Sequence, residues 1–550
     1  MNFEDLLCEA GGFGKFQILT LLLLCLPRLF LPLHFLLHNF LAATPAHRCA
    51  ILHQDGFANL TEAEVLLISI PRDSEEAFSS CEMFSEPQFH LLLNSSQAST
   101  NATSVQRCQN GWVYNRSQFT STIATQSQWD LVCEQKELNH ATATFFFIGV
   151  MLGALIFGYL SDRFGRKTML LVSYMCTLIC GMVSSASVTY SMLAVMRTLT
   201  GMSICGLSLI VVPLGMEWVD IQHRTVSGII TSIFWSLGNM LLALIAYLVR
   251  DWRWLLFAAT LPCAVGLVSV WWLPESARWL LAKGKLKEAR KHLQACAKMN
   301  GRKEFAAKIN LEMLSKTAAV VEQKLGGNYS YVSIFRTPML RKISFCMGAV
   351  WFGVAFSYYG MSLNISGFGL SMYMTQFVFG AIEIPAKLIV YLVVNRFGRK
   401  QSQAWSLILA GLCIGVNIAV PRSLGILRSV VAIIGKGFSE AAFTTVFLYS
   451  SELYPTVLRQ NGQGYCAFMA RLGGSVAPLV FMLDSLWKLL PQVIYCIMAV
   501  LCGSAAFFLP ETLNTELPET VEDVEKRSSE REKHLCGKVS EIVPLQSLQK

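Results

Sequence analysis

Long apolar runs recur along this chain, and polar stretches divide them into two sets of six. The first run spans about Phe16 to Ala43. Five more follow near 141–161, 168–187, 190–214, 227–249 and 255–273. After a polar interval come runs near 343–365, 371–394, 403–420, 427–450, 463–484 and 491–509. A run of about 17–25 apolar residues is long enough to cross a bilayer as a helix. Strand-like alternation is missing, and lipid offers no partner to an open backbone, so each run is predicted to be helical. The leader "MNFEDLLCEAGGFGK" is acidic where a secretory signal is basic, and the first run is longer than a signal's apolar core, so it reads as a retained span.

The polar segments assign the sides. Residues 44–140 carry five Lys/Arg and eleven Asp/Glu, whereas 274–342 carry fifteen and five. Excess Lys/Arg marks the cytoplasmic side. This predicts a cytoplasmic N-terminus (1–15), an N-terminal six-helix half (16–273) with an extracellular loop at 44–140, and a cytoplasmic linker with helices (274–342). A C-terminal half (343–509) and a cytoplasmic tail (510–550) complete the division. The outside loop holds Cys49, Cys81, Cys108 and Cys133, an even set that permits three pairings and suits an oxidising exterior. It also holds glycosylation sequons at Asn59, Asn94, Asn101 and Asn115. With 53% hydrophobic and 15% charged residues, the 550-residue chain is far less charged than a soluble domain. The net charge of +9 therefore marks topology and not nucleic acid.

Three patterns occur twice at nearly equal offsets. "DRFGRK" at Asp162 returns as "NRFGRK" at Asn395. "EWVDIQHR" at Glu217 returns as "ELYPTVLR" at Glu452, and "PES" at Pro274 as "PET" at Pro510. The two halves therefore read as repeats, an architecture that in transporters places the substrate between them near the midplane.

These motifs carry a resemblance. "GYLSDRFGRK" (158–167) is similar to the loop signature of the major facilitator superfamily. "PESARWLL" (274–281), "ELYPTVLRQ" (452–460) and the long first outside loop resemble the organic ion transporters of solute carrier family 22. "TIATQSQWDLVCEQK" (122–136), "RDWRWLL" (250–256) and "FSEAAFTT" (438–445) resemble the organic anion transporters within it. The implied fold is an all-α membrane protein. It has twelve transmembrane helices in two pseudo-symmetric halves, the major facilitator fold, with a disulfide-containing extracellular loop domain. The resemblance also implies a cytoplasmic gate in which Asp162, Arg166, Glu217, Arg224, Glu452 and Arg459 form ion pairs in one state and separate in the other. Asn395 replaces the aspartate of the first copy, so that latch is expected to be asymmetric.

Charged residues inside the spans are the candidate chemistry, since each costs roughly 2.5–3.5 kcal/mol at mid-bilayer. Glu383 and Lys387 stand four apart, so a local ion pair competes with a ligand role for Lys387. Arg471 has no acid one turn away. The resemblance implies that Lys387 and Arg471 serve an anionic substrate; cation-carrying relatives place an acid where Arg471 stands. Lys436 and Glu440 are again four apart and read as a self-paired brace, and Arg197 as a brace between helices. Arg28 is expected to snorkel or to pair, and the sequence does not place it further. By the same resemblance, Tyr358, Tyr359, Trp351, Phe443, Phe447 and Trp235 would wall the substrate site, with His34 and Asn39 on the first helix along the pathway. Trp235 stands where a relative carries tyrosine, which leaves its hydrogen bond open. His34 and His38 have metal-compatible spacing, but two ligands make a poor zinc site. No metal and no cofactor are expected.

The implied function is polyspecific secondary transport of organic anions by alternating access, by exchange for dicarboxylates or facilitated diffusion. Expected partners are small organic anions (carboxylates, prostaglandins, purine-like or cyclic-nucleotide-like anions, dicarboxylates) and membrane lipid, not nucleic acid. The expected location is the plasma membrane, basolateral in epithelia. The alternative is an organic cation or zwitterion carrier, and the positive Arg471 argues against it. A receptor is disfavoured by the repeat, a channel by the lack of a filter-like loop. An enzyme or ATP-driven pump is disfavoured by the lack of a nucleophile or phosphate-loop motif.

Overall fold

The repeated "RFGRK" turns fold alike, and they show how the chain is built. The computed structural model describes residues 3–526 apart from 53–56, 58–59, 73–76, 93–103, 326–330, 366–369, 422, 456–457, 514, 516–517 and 519–520. Twelve of its helices are long and apolar enough to span a membrane. Helix one runs Lys15–Phe35 and resumes at His38–Leu41. Helices two to six are Lys136–Phe164, Arg166–Ser185, Tyr190–Trp218, Arg224–Leu248 and Trp252–Thr260 continued by Pro262–Ser269. Helices seven to twelve are Pro338–Ser362, Met372–Phe397, Arg399–Ala419, Gly425–Leu453, Arg459–Phe481 and Leu490–Ala505.

Helices two and three meet at Gly165 (φ 101°), helices eight and nine at Gly398 (φ 90°). The left-handed backbone favours glycine. In addition, a β-carbon on Gly165 would stand 2.5 Å from Glu275 Oε2, and one on Gly398 2.5 Å from Glu511 Oε2. Those carboxylates belong to the repeated "PES" and "PET". Glu275 accepts from the backbone N–H of Arg166 at 3.0 Å and of Lys167 at 3.1 Å. Glu511 accepts from Arg399 N–H at 2.8 Å and Lys400 N–H at 3.1 Å. An acid at a helix N-terminus satisfies orphan donors and opposes the helix dipole. Each half is thus locked by the same acid on the same turn. Within each half, helix two packs against four and helix seven against eleven. At Gly149 and Gly153 the backbones of helices two and four come so close that a β-carbon would strike Thr198 O and Met202 O.

The loop domain is small and tied down. His47–Cys49 pairs antiparallel with Trp112–Tyr114, and Glu82–Phe84 with Val105–Arg107. Of the three possible cystine pairings the structure has Cys49–Cys108 and Cys81–Cys133. Asp251 caps helix six and also accepts from Ser121 Oγ at 2.5 Å, while Tyr373 Oη donates to Gln118 O at 2.8 Å. The domain therefore touches both halves. Asn115 is exposed; Asn59, Asn94 and Asn101 lie outside the described residues.

On the opposite face lie linker helices Ala277–Ala282, Leu286–Met299, Lys303–Lys308 and Leu311–Leu325, and an N-terminal helix, Phe3–Glu9, meets the first of them where Arg278 contacts Phe3 and Glu4. Leu6 and Leu7 of that helix are fully buried. Asn300 ties it to helix one by donating to Ala10 O and accepting from Phe16 N–H.

Glu275→Ala and Glu511→Ala should each destabilise the purified protein by about 1–3 kcal/mol, the scale of a lost buried acceptor. Thermal melting would check this, and wild-type melting of either variant would remove the caps from the list of supports.

Candidate functional site

Helices eight and ten each carry an acid and a base four residues apart, in opposite order: Glu383 then Lys387, Lys436 then Glu440. Both are even-numbered spans, so they cross in the same direction, and the reversed order lays each acid beside the other helix's base. The structure uses that complementarity. Lys436 Nζ lies 3.1 Å from Glu383 Oε1, and Lys387 Nζ 3.3 Å from Glu440 Oε1, against 3.9 Å to Glu383 on its own helix. All four side chains are at most 7% exposed. The expected same-helix pairing of Lys436 with Glu440 is thus replaced by a cross-helix pair. A buried charge without a partner is costly, and two crossed pairs leave none of the four alone.

The cluster reaches across the interface between the halves. Ser236 Oγ on helix five donates to Glu383 at 2.8 Å. Lys387 donates to Ser236 Oγ at 2.6 Å and Ser232 O at 2.8 Å. Tyr358 Oη donates to Glu383 at 2.8 Å and accepts from Trp235 Nε1 at 3.0 Å. Lys436 Nζ sits 3.2 Å from the centre of the Tyr358 ring and donates to Ser362 Oγ at 2.6 Å. Trp235 therefore makes the hydrogen bond that its sequence position left open.

Arg471 differs from the two lysines. Its guanidinium donates to Ala467 O on its own helix at 2.9 Å, and it forms no ion pair among the described residues. One turn further along the same helix, Gly474 packs against Tyr359, a β-carbon there standing 3.1 Å from the ring. The expected aromatics join end to end. Tyr359 meets Tyr358 at 5.3 Å between ring centres, Tyr358 meets Phe443 at 5.3 Å, and Trp351 meets Phe443 at 6.0 Å and Phe447 at 4.6 Å. Phe35 and Phe147 of the N-terminal half continue the wall, 6.1 Å and 4.9 Å from Tyr359. Sequence reasoning passed over both; for Phe147 the "FFF" run at 145–147 was the available signal.

The helix-one expectations fare differently. Asn39 Nδ2 donates to Ser362 O at 2.7 Å and Gln376 Oε1 at 2.9 Å, so it bolts the halves together near the loop domain. Lys136 and Asp484, 2.5 Å apart, join them at the same face. His34 is fully buried, with no hydrogen bond or ion pair to the cluster among the described residues, and its carbonyl, left open where helix one breaks, accepts from Arg197. Arg197 also stacks on Phe146 at 4.5 Å, which is the bracing expected of it.

The residues expected to form a gate gather on the linker face. Arg166 pairs with Asp162 at 2.9 Å and Glu217 at 3.6 Å. Its repeat partner Arg399, absent from the expected set, pairs with Glu452 at 3.1 Å. Arg224 turns instead to Glu4 of the N-terminal helix at 2.8 Å, and Glu4 also holds Arg278 at 2.9 Å. Arg459 lies half-buried at the start of helix eleven.

The crossed pairing makes a rescue pattern testable by thermal melting. Glu440→Gln should cost about 3–5 kcal/mol, and adding Lys387→Met should restore most of it. Glu383→Gln should instead be rescued by Lys436→Met. The opposite pattern of rescue would mean that the helices pair internally.

Comparison with known proteins adds an independent line. A family model described as "Sugar (and other) transporter" matches residues 94–523. Human solute carrier family 22 member 7 is 52% identical over 536 residues, covering 96% of this chain and 97% of its own. Solute carrier family 22 member 6 of Danio rerio is 40% identical over 536 residues, covering 96% and 95%. Among solved structures, the partially occluded inward-open form of the xylose transporter XylE from E. coli superposes with a TM-score of 0.57 at 15% identity, over 92% of this chain and all of that one. That likeness speaks for the fold alone.

Proposed function

The chain belongs to solute carrier family 22, and on that premise we propose that it carries organic anions by alternating access. It is a multi-pass membrane transporter of the major facilitator type, not an enzyme. The observation that carries the anion reading is the charge balance at the interface between the halves. Lys387 and Lys436 are offset by Glu383 and Glu440, while Arg28 and Arg471 form no ion pair among the described residues. The site therefore holds a formal surplus of two positive charges. An uncompensated cation in a low-dielectric site attracts an anion and repels a cation, which disfavours the cation-carrier alternative. A guanidinium fork suits a carboxylate or phosphate, and flat aromatic walls accept many flat organic skeletons.

In this reading Arg471 is the primary anchor. Lys387 joins it only by loosening its hold on Glu440. Rocking of the two halves breaks the contacts near Asn39 and Lys136 and exchanges the ion pairs of the linker face. The excess of basic residues in 274–342 supports a cytoplasmic linker face. Exchange against an internal dicarboxylate, residence in the plasma membrane with a basolateral address in epithelia, and glycosylation of the loop are the finer parts of the proposal. Carboxylate drugs, prostaglandins and purine-like or cyclic-nucleotide-like anions are the substrate classes it names.

Arg471→Ala should lower uptake of a labelled aromatic carboxylate at least about tenfold at equal surface expression, the effect of losing one charge-assisted pair. Unchanged uptake would discard Arg471 as the anchor and the anion site with it.

A further inference from the structure

We infer that Arg28 is a second, specificity-determining anion contact, contributed by the N-terminal half, and that with Arg471 it selects substrates bearing two negatively charged groups. This rests on the anion reading above.

Arg28 lies inside helix one, where an arginine is costly unless something compensates it. The chain around it is held firmly. Pro27 and Pro32 lack N–H groups and flank it by sequence. Helix five presses so close that a β-carbon on Gly238 would stand 2.2 Å from Leu29 O. The backbone that carries Arg28 is therefore fixed against helix five. Its guanidinium carbon lies 5.5 Å from the centre of the Trp235 ring, the tryptophan that donates to Tyr358. Its Nε is buried without a hydrogen-bond partner, and no ion pair to it exists among the described residues. The titratable groups within its electrostatic reach are Tyr359, Glu440, Cys25 and Tyr358. The acid among them, Glu440, is already 3.3 Å from Lys387.

Tyr359 connects this arginine to the other one. Arg28 comes from helix one and lies over Trp235, whose indole donates to Tyr358 next to Tyr359. Arg471 comes from helix eleven, where Gly474, one turn on, packs against the Tyr359 ring, so the two arginines approach the same tyrosine pair from the two halves. The other cations inside the spans are held elsewhere. Arg197 is fully buried against His34 O and Phe146, with its Nε and Nη1 unpartnered among the described residues but without a hydrogen bond or ring contact to the tyrosine pair, and Lys436 and Lys387 hold glutamates.

Two planar forks on separate bodies make a two-point reader. A substrate with two carboxylates, or one carboxylate and one phosphate, satisfies both and pins the halves together. A monoanion satisfies one fork and leaves the other cation uncompensated in a poorly solvated site, which is unfavourable.

The test uses a matched pair of competitors, glutarate and its monomethyl ester, which differ in one negative charge. Each is titrated against uptake of a labelled aromatic carboxylate by full-length protein at the cell surface. Wild type should prefer glutarate by about tenfold, the scale of one charge-assisted pair. Arg28→Gln should bring that ratio to about one while leaving the ester within about twofold. Arg28→Lys, which keeps the charge and loses the fork, should fall between. A wild-type ratio near one, a ratio unchanged in Arg28→Gln, or equal weakening of both competitors would each overturn the inference; the last would make Arg28 a brace. Arg471→Ala separates the two proposals. If it loses both competitors, the anion site stands and Arg28 alone is judged by the ratio. If it spares both, the anion reading itself falls.

Discussion

Burying four charges in the middle of a membrane protein constrains everything around them. Glu383, Lys387, Lys436 and Glu440 are almost inaccessible, so each must keep a partner of opposite sign. The solution is reciprocal, with each base on one helix answering the acid on the other. That fastens helices eight and ten side by side in one register. It also leaves lone pairs and protons to satisfy, and these recruit Tyr358 and Ser362 from helix seven and Ser232, Ser236 and Trp235 from helix five. A network that begins as a stability requirement of one half therefore ends by gripping the other.

The grip lies at the seam that a rocking transporter must open and close. Helix five answers the charges of helix eight with neutral donors and acceptors, not with charges of its own. Such contacts can be exchanged for water or substrate at modest cost, whereas the crossed ion pairs within the C-terminal half cannot. The half stays rigid and the seam stays negotiable. The same division appears on the linker face. There Glu275 and Glu511 close their own turns with charge-assisted bonds, and Arg166 and Arg399 pair with acids of their own half. In the first half, Glu4 of the N-terminal helix adds an acid for Arg224.

The surplus of positive charge is a consequence of this arrangement. Had Lys387 been unpaired, three cations would face the seam. With the lysines neutralised, the arginines remain, one from each half. In the proposed reading, selectivity for the sign of a substrate comes from what the carboxylates do not reach as much as from the cations present.

The twelve spans, the two halves and the loop domain were legible in the sequence, because a bilayer demands long apolar helices and a repeat leaves equal offsets. That Tyr358, Tyr359 and Phe443 belong together was legible only through resemblance. Phe35 escaped notice because a phenylalanine in lipid and one in a pocket look alike along the chain. Charge pairing misled for a related reason. Spacing of four residues shows which groups share a helix face, but it is silent on the neighbouring helix. The reversed order of Glu383–Lys387 and Lys436–Glu440 held the clue, and it had meaning only once the two helices stood side by side. Arg28 shows the same limit from the other side, since nothing local to helix one says what lies across from it. Sequence determined which segments cross and which residues carry charge, because those follow from local transfer free energies. Tertiary structure decided which charges cancel and which remain, because Coulomb's law depends on distances that only packing sets.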